Sequence, residues 1–251
     1  MARNIRAKRS LGQNFLVNLW PVRLMAKEAN VAAGDTVLEI GPGKGILTKE
    51  LLFCGAHVIA VEKDDVLFIK LQDKFREEIE SEKLELIHGD IMDFDVGLHF
   101  AHTPYKLIAN IPYNITGLLM RHFLEHTHQP ISITFLVQKE VADRICMRDK
   151  KSSILALSVA VFGTARYVEK VGRTLFRPAP NVDSAIIHIS HIHNPFANTE
   201  AKNSFFTTIK TAFNSKRKKV STTLKGYTIP ENVRDKRPEE LSVVDFLKIT
   251  I

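Results

Sequence analysis

The sequence predicts an α/β fold: a mostly parallel sheet with helices on both faces, followed by a small helical segment. Three observations carry this expectation. Short β-branched runs alternate with amphipathic stretches, a glycine-rich turn follows the first clear run, and the strand pattern stops after Asn194-Pro195. Alternation of this kind favours parallel pairing, because a crossover helix must return the chain to the start of the next strand.

Taken in order, Thr36–Ile40, His57–Val61, Leu84–His88, Tyr105–Asn110 and Ile131–Val137 read as strands. The stretches Leu47–Phe53, Val66–Glu80 and Thr116–His126 between them have helical period. Arg166–Val171 and Ser184–Ser190 read as two more strands, joined by a proline-containing connection and expected as a hairpin at the sheet's edge. Beyond them, Glu200–Phe213 and Pro238–Leu247 read as helices on either side of a basic cluster at Ser215–Lys219. A domain boundary is expected near residue 195, dividing the chain into 1–194 and 195–251. Phe205, Phe206 and Phe213 fall at helical spacing and are expected in the small segment's core.

Composition narrows the function classes. The 251 residues are 45% hydrophobic and 25% charged, an ordinary globular balance. No apolar run approaches the roughly 20 residues a membrane helix needs. The acid-poor start, rich in arginine up to Glu28, has the composition of a mitochondrial presequence. Functional-looking residues begin by Gly12, however, so a cytoplasmic protein is expected. Cys54 and Cys146 are isolated and suggest neither a disulfide nor zinc. His99 with His102, or His191 with His193, lack motif partners, so no metal is expected. The net charge of +7 is uneven: residues 1–30 carry +5, 31–200 carry −4 and 201–251 carry +6. A neutral-to-acidic body with basic margins suits a polyanionic partner gripped at its edges.

Glu39-Ile40-Gly41-Pro42-Gly43-Lys44-Gly45 follows the first predicted strand and opens a helix. Glycines there let the backbone turn sharply and approach a ligand with no Cβ in the way. The spacing differs from the G-x-G-x-x-G of dinucleotide enzymes. Glu62 ends the next strand, 21 positions after Gly41, where an acid can accept hydrogen bonds from both hydroxyls of a ribose. Asp90 follows the third strand, where a carboxylate can accept from an adenine amino group. Three strand ends in register predict an adenosine-bearing cofactor in the crevice at the sheet's carboxyl edge.

Asn110-Ile111-Pro112-Tyr113 follows the fourth strand. These residue types suit an aminopurine. The lone pair of an adenine amine is delocalised into the ring, and acceptors aimed at its N–H bonds draw that pair back onto nitrogen. The Asn110 side-chain oxygen can be one acceptor and a backbone carbonyl near Ile111 or Pro112 the other. Pro112 fixes the turn and brings no N–H to compete. Tyr113 offers a face on which an unstacked base can lie.

With these segments on view, the chain closely resembles the KsgA-type ribosomal RNA adenine dimethyltransferases. The resemblance rests on Lys8-Arg9-Ser10-Leu11-Gly12-Gln13-Asn14-Phe15-Leu16, the glycine loop, Asn110–Thr116, Gln138–Ile145 and Phe176–Ser184, with a further basic match from Ala212 to Gly226. It implies a Rossmann-like class I methyltransferase fold with a mostly parallel seven-stranded sheet and S-adenosylmethionine as cofactor. By resemblance, Asn14, Leu16, Gly41, Gly43, Glu62, Asp90 and Asn110 contact that cofactor. Asn110, Pro112 and Tyr113 form the catalytic loop, and Phe176 forms the other side of the base pocket. The family's usual product is two adjacent dimethyladenines near the 3′ end of small-subunit rRNA, made during ribosome biogenesis. The implied partner is therefore that rRNA within a pre-assembled small subunit, bound by a monomer. Two features depart from the pattern: Asn18 stands where members often have Asp, and Asp149–Ser153 replaces a Gly-Ser-Lys-containing stretch.

Two rivals share much of this reading. An Erm-type methyltransferase, acting on a large-subunit adenine, would share fold, cofactor and catalytic loop. The N-terminal motif and Gln138-Lys139-Glu140-Val141 favour the small-subunit family. A mainly non-catalytic ribosome-assembly factor would share the fold, but Glu39, Glu62, Asp90, Asn110 and Tyr113 are all intact.

Overall fold

A computed structural model describes residues 13–100 and 103–249. Its strands are β1 (Phe15–Leu16), β2 (Thr36–Ile40), β3 (His57–Glu62), β4 (Leu84–His88), β5 (Tyr105–Asn110), β6 (Ser132–Gln138), β7 (Thr164–Val171), β8 (Phe176–Arg177) and β9 (Ser184–Ser190). Its longer helices are α1 (Leu19–Glu28), α2 (Ile46–Phe53), α3 (Asp65–Lys74), α4 (Arg76–Glu80), α5 (Val96–Phe100), α6 (Thr116–Leu124), α7 (Lys139–Ile145), α8 (Ile154–Ala160), α9 (Thr199–Phe213), α10 (Val220–Thr223) and α11 (Val243–Leu247).

The main sheet has seven strands in the order β4-β3-β2-β5-β6-β9-β7. The first five run parallel, and β9 lies antiparallel between β6 and β7. Chain order reverses between β2 and β5, so the strand ends there open a crevice for a ligand. The pair expected as an edge hairpin is antiparallel, with β7 outermost. Arg166, Glu169 and Lys170 and a register shift at Tyr167/Glu169 discourage further strand addition there.

Side-chain alternation divides the sheet between two cores. Leu38, Ile40, Ile59, Val61, Leu107, Ala109, Phe135, Val137, Ile187 and Ile189 enter one cluster with Leu119, Phe123, Ile145 and Leu157 from α6, α7 and α8. Their neighbours Val37, Val58, Ala60, Ile108, Leu136 and Ile186 enter the other with Val22, Met25, Leu47, Leu51 and Leu71 from α1, α2 and α3. Each large apolar side chain so buried contributes about 1.5–3 kcal/mol. Helices therefore cover both faces, as the alternation predicts.

The helix expected over Val66–Glu80 is divided at Phe75, whose ring is buried against the glycine loop. The one expected over Pro238–Leu247 is a short 3-10 turn followed by α11, because Ser242 caps a fresh start by accepting from Asp245 N.

Residues 195–249 are helical, and Asn198 caps α9 by accepting from Ala201 N at 2.8 Å. Phe205, Phe206, Ile209, Leu224 and Phe246 belong to the same apolar cluster as the sheet's α6 side. The ring of Phe162, just after α8, lies 5.7 Å from Phe196 and 6.3 Å from Phe206. The atypical stretch 149–153 fastens this segment. Ser152 N donates to Glu239 O at 2.8 Å, Ser152 Oγ donates to Leu241 O, and Lys151 pairs with Glu239.

Candidate active site

A cavity of about 330 Å³ opens at the carboxyl ends of β2, β3 and β5. The glycine loop forms its floor. Gly41, Gly43 and Gly45 all have positive φ, at 62°, 61° and 70°, which L side chains rarely adopt. A Cβ on Gly41 or Gly89 would stand in open space, and both residues line the cavity. At Gly43 a Cβ would come within 3.2 Å of the Phe15 ring. Loop and N-terminal motif therefore meet through a close approach that glycine permits.

Glu62, at the end of β3, fastens the loop. Its Oε2 accepts from Gly43 N at 3.0 Å and its Oε1 from Asp64 N at 2.8 Å. Burial pushes its carboxyl above the ordinary value, while those amide donors hold it down. Asp64 caps α3 and accepts from Gln13 Nε2 at 3.2 Å, drawing the N-terminal motif to the same corner.

Asp90 sits beyond β4. Its Oδ1 accepts from Met92 N at 3.0 Å, and its Oδ2 pairs with Lys63 Nζ at 2.5 Å. The Lys63 ammonium holds the Asp90 carboxyl below the usual range. Asn110, at the end of β5, donates from Nδ2 to Asn14 O at 3.4 Å. This orientation leaves its Oδ1 as the acceptor. Pro112 O accepts from Ile115 N at 3.2 Å, closing the turn, so Ile111 is the better source of a second acceptor carbonyl. Tyr113 is half-buried on the cavity wall, its hydroxyl 2.7 Å from Ser184 Oγ.

The structure thus brings Asn14, Leu16, Gly41, Gly43, Glu62, Asp90, Asn110, Pro112 and Tyr113 to one cavity. Phe176 is not among the residues that line it. It is fully buried among Leu16, Ile108, Leu136 and Ile186 rather than on the cavity wall. In β8 it pairs with Leu16, and the alternation of a strand turns Phe176 into the core and Arg177 outward. Its ring packs with Leu16, the residue it pairs with.

Sequence reasoning counted Glu39 among the strand-end acids without giving it a contact, and left Lys63 without a role. Glu39 is 1% exposed at the cavity's inner wall, with Thr48 as its polar neighbour. Burial pushes its carboxyl up to about 8, and the Glu62 charge adds to the rise. An acid inside an otherwise apolar strand was the available signal. Lys63 was hidden because exposed lysines are ordinary. Among the described residues, no group of three or more His, Cys, Asp or Glu could hold a metal ion.

A cofactor with a ribose, an amino-bearing base and a cationic end fits these acceptors. Glu62 suits the diol and Asp90 the base amine. The buried Glu39 carboxyl suits a cation, and the open space over Gly41 admits close approach.

The fold and this site define a class I methyltransferase. Solved structures agree on the architecture. The 23S rRNA methyltransferase ErmE matches with a TM-score of 0.75 at 24% identity, covering 94% of this chain and 98% of that one. A dimethyladenosine transferase from Plasmodium falciparum matches with a TM-score of 0.78 at 25% identity, covering 93% and 95%. The family narrows further. The profile of the ribosomal RNA adenine dimethylases matches residues 4–245, and the chain belongs to that family. It is 34% identical over 252 residues to the ribosomal RNA small subunit methyltransferase A of Chlorobium phaeobacteroides, spanning 98% of this chain and 90% of that protein. It is 36% identical over 247 residues to the protein of that name from Chlorobaculum tepidum, spanning 96% and 86%. The methyl donor is S-adenosylmethionine. These relatives favour the small-subunit reading over the Erm-type alternative.

Proposed function

We propose that this chain methylates the 6-amino groups of two adjacent adenosines near the 3′ end of small-subunit rRNA, acting as a cytoplasmic monomer on a pre-assembled subunit. The observation that carries the reading is the convergence of Glu62, Asp90 and Asn110 with Tyr113 on one cavity. Small-subunit action comes from the relatives' names. No described helix is long and apolar enough to cross a membrane, which fits the proposed location.

S-adenosylmethionine supplies an electrophilic methyl on a sulfonium. Glu62 holds the ribose hydroxyls with the lone pairs left by Gly43 and Asp64, and Asp90 accepts from the adenine amine. Gly41 and Gly43 let the backbone lie close, while Asn14 and Leu16 form the wall beside Asn110. The Asn110 Oδ1 and the Ile111 carbonyl accept from the target amine and concentrate its lone pair on nitrogen. Tyr113 stacks on the extruded base. The acceleration comes from positioning and fixed dipoles.

The division at residue 195 is proposed as functional: the body carries the chemistry and 195–251 carries the RNA grip. Lys216, Arg217 and Lys218 are exposed there, while Lys219 is turned to Asp235 at 2.8 Å. Arg3, Arg6, Lys8 and Arg9, proposed for the same grip, lie outside the described residues.

The test is to incubate the protein and labelled S-adenosylmethionine with separated, unmethylated small and large subunits and then map the label. Label on neighbouring small-subunit adenosines is expected. Label confined to the large subunit would overturn the reading.

A further inference from the structure

Ser184 is fully buried at the first position of β9, and its Oγ lies 2.7 Å from the Tyr113 hydroxyl. It is held from both sides, in register with Gln138 of β6 and Val171 of β7. The residue before it is fastened as well. Asp183 O accepts from Lys139 N at 2.9 Å, Asp183 Oδ1 accepts from Arg173 N at 3.0 Å, and its Oδ2 pairs with Lys170 at 2.8 Å. Tyr113, by contrast, belongs to a short 3-10 turn entered through Pro112. A fixed hydroxyl in the sheet therefore holds the far end of a ring whose near end rides on a loop.

A stacking surface needs no hydroxyl. A phenylalanine would offer the same face, and burying two hydroxyls costs stability unless they bond to each other. Burial pushes the Tyr113 phenol upward, so it stays neutral and either hydroxyl can donate. Tethering the ring at both ends removes its freedom to tilt, and the rate of an in-line displacement depends steeply on the reacting angle.

We propose that Ser184 is a positioning residue for methyl transfer, fixing the plane of the Tyr113 ring through the bond between their hydroxyls. This rests on Tyr113 being the stacking face for the target base. Ser184 touches neither cofactor nor base. It acts through Tyr113, and it links the Phe176–Ser184 motif to the catalytic loop.

The test is a double-mutant cycle in the full chain, with unmethylated small subunits and labelled S-adenosylmethionine as substrates. Ser184→Ala and Tyr113→Phe should each lower kcat about three- to tenfold, the value of one hydrogen bond. KM for the subunit and the affinity for S-adenosylhomocysteine should be unchanged. The double variant should be no slower than either single one, because both remove the same bond. Ser184→Cys, of similar size with a weak donor, should fall between wild type and Ser184→Ala. Multiplicative losses, or a Ser184→Ala enzyme as fast as wild type, overturn the proposal. If Ser184→Ala fails to fold, Tyr113→Phe decides alone, since it breaks the bond from the cavity side, and an unchanged kcat overturns the tether. Tyr113→Ala separates the two readings: full turnover there overturns the stacking role itself. Its loss together with a wild-type Ser184→Ala overturns only the tether.

Discussion

Replacing Glu39 with glutamine should change how the protein's stability depends on pH. In the folded chain this carboxyl is pushed up to about 8 from an ordinary value of 4.5. Between those values the unfolded chain ionises at this position while the folded chain keeps its proton. Wild type therefore loses stability as pH rises through that interval and stays level above it. Glutamine mimics the neutral acid and does not titrate. Each pH unit across the interval corresponds to about 1.4 kcal/mol, so the ceiling for the difference is about 5 kcal/mol. Water entry and small rearrangements relieve a buried charge, which lowers the expected gain to about 2 kcal/mol. The assay is urea unfolding of wild type and Glu39→Gln at steps from about pH 5 to about pH 9, read as the difference between paired midpoints. The two proteins should match near the acid end, and the variant should be more stable at the alkaline end. Parallel curves across the whole range would refute the argument.

Glu62→Ala should weaken S-adenosylhomocysteine binding by roughly ten- to a hundredfold in calorimetry, the value of a hydrogen bond to a charged group. It also unfastens the Gly43 amide, and unchanged affinity would exclude the ribose role. Gly45→Ala combines a φ of +70° with a Cβ 2.4 Å from the Phe75 ring, and should cost about 2–4 kcal/mol in urea unfolding. A wild-type midpoint would mean that Phe75 yields freely. Neutralising Lys216, Arg217 and Lys218 to glutamine should weaken subunit binding. It should also flatten the log–log salt dependence by about 2, at roughly 0.7–0.9 for each phosphate no longer neutralised. An unaltered slope would mark the cluster as solvated surface.

Much of this was legible because sheet and helix impose periods on the sequence. Tyr105–Asn110 and Ser184–Ser190 were read with the bounds observed, since a strand buried on both faces is a run of apolar residues. The acids at strand ends were legible because chain direction puts all parallel strand ends on one edge. Elements without a readable period were missed. β1 and β8 have two residues each, too few to alternate. That omission left the facing of Phe176 unread: motif order shows that it is near the site, whereas only the pairing with Leu16 shows which way it faces. α1 was overlooked although Val22, Met25 and Ala26 stand at helical spacing, because its basic residues drew attention to charge. Asn18, one of the departures from the family pattern, caps that helix, its Oδ1 accepting from Trp20 N at 2.8 Å. The pairing of Lys63 with Asp90 joins residues 27 positions apart, and no spacing rule points to it.

The ladder between β1 and β8 sets a clock on the making of this protein. Leu16 pairs with Phe176 and Phe15 with Arg177, so one side of the cavity has its partner some 160 residues later in the chain. A ribosome adding about 5–20 residues per second needs roughly 10–30 s to bridge that gap. During that time Phe15 and Leu16, both buried in the finished fold, lack their strand partner. A nascent chain can complete the β2–β5 half of the sheet and set its glycine loop, yet β1 stays without its ladder until residue 177 has left the exit tunnel. An enzyme for ribosomes thus carries one strand of its methyl-donor site unpaired until a ribosome has made more than two-thirds of it.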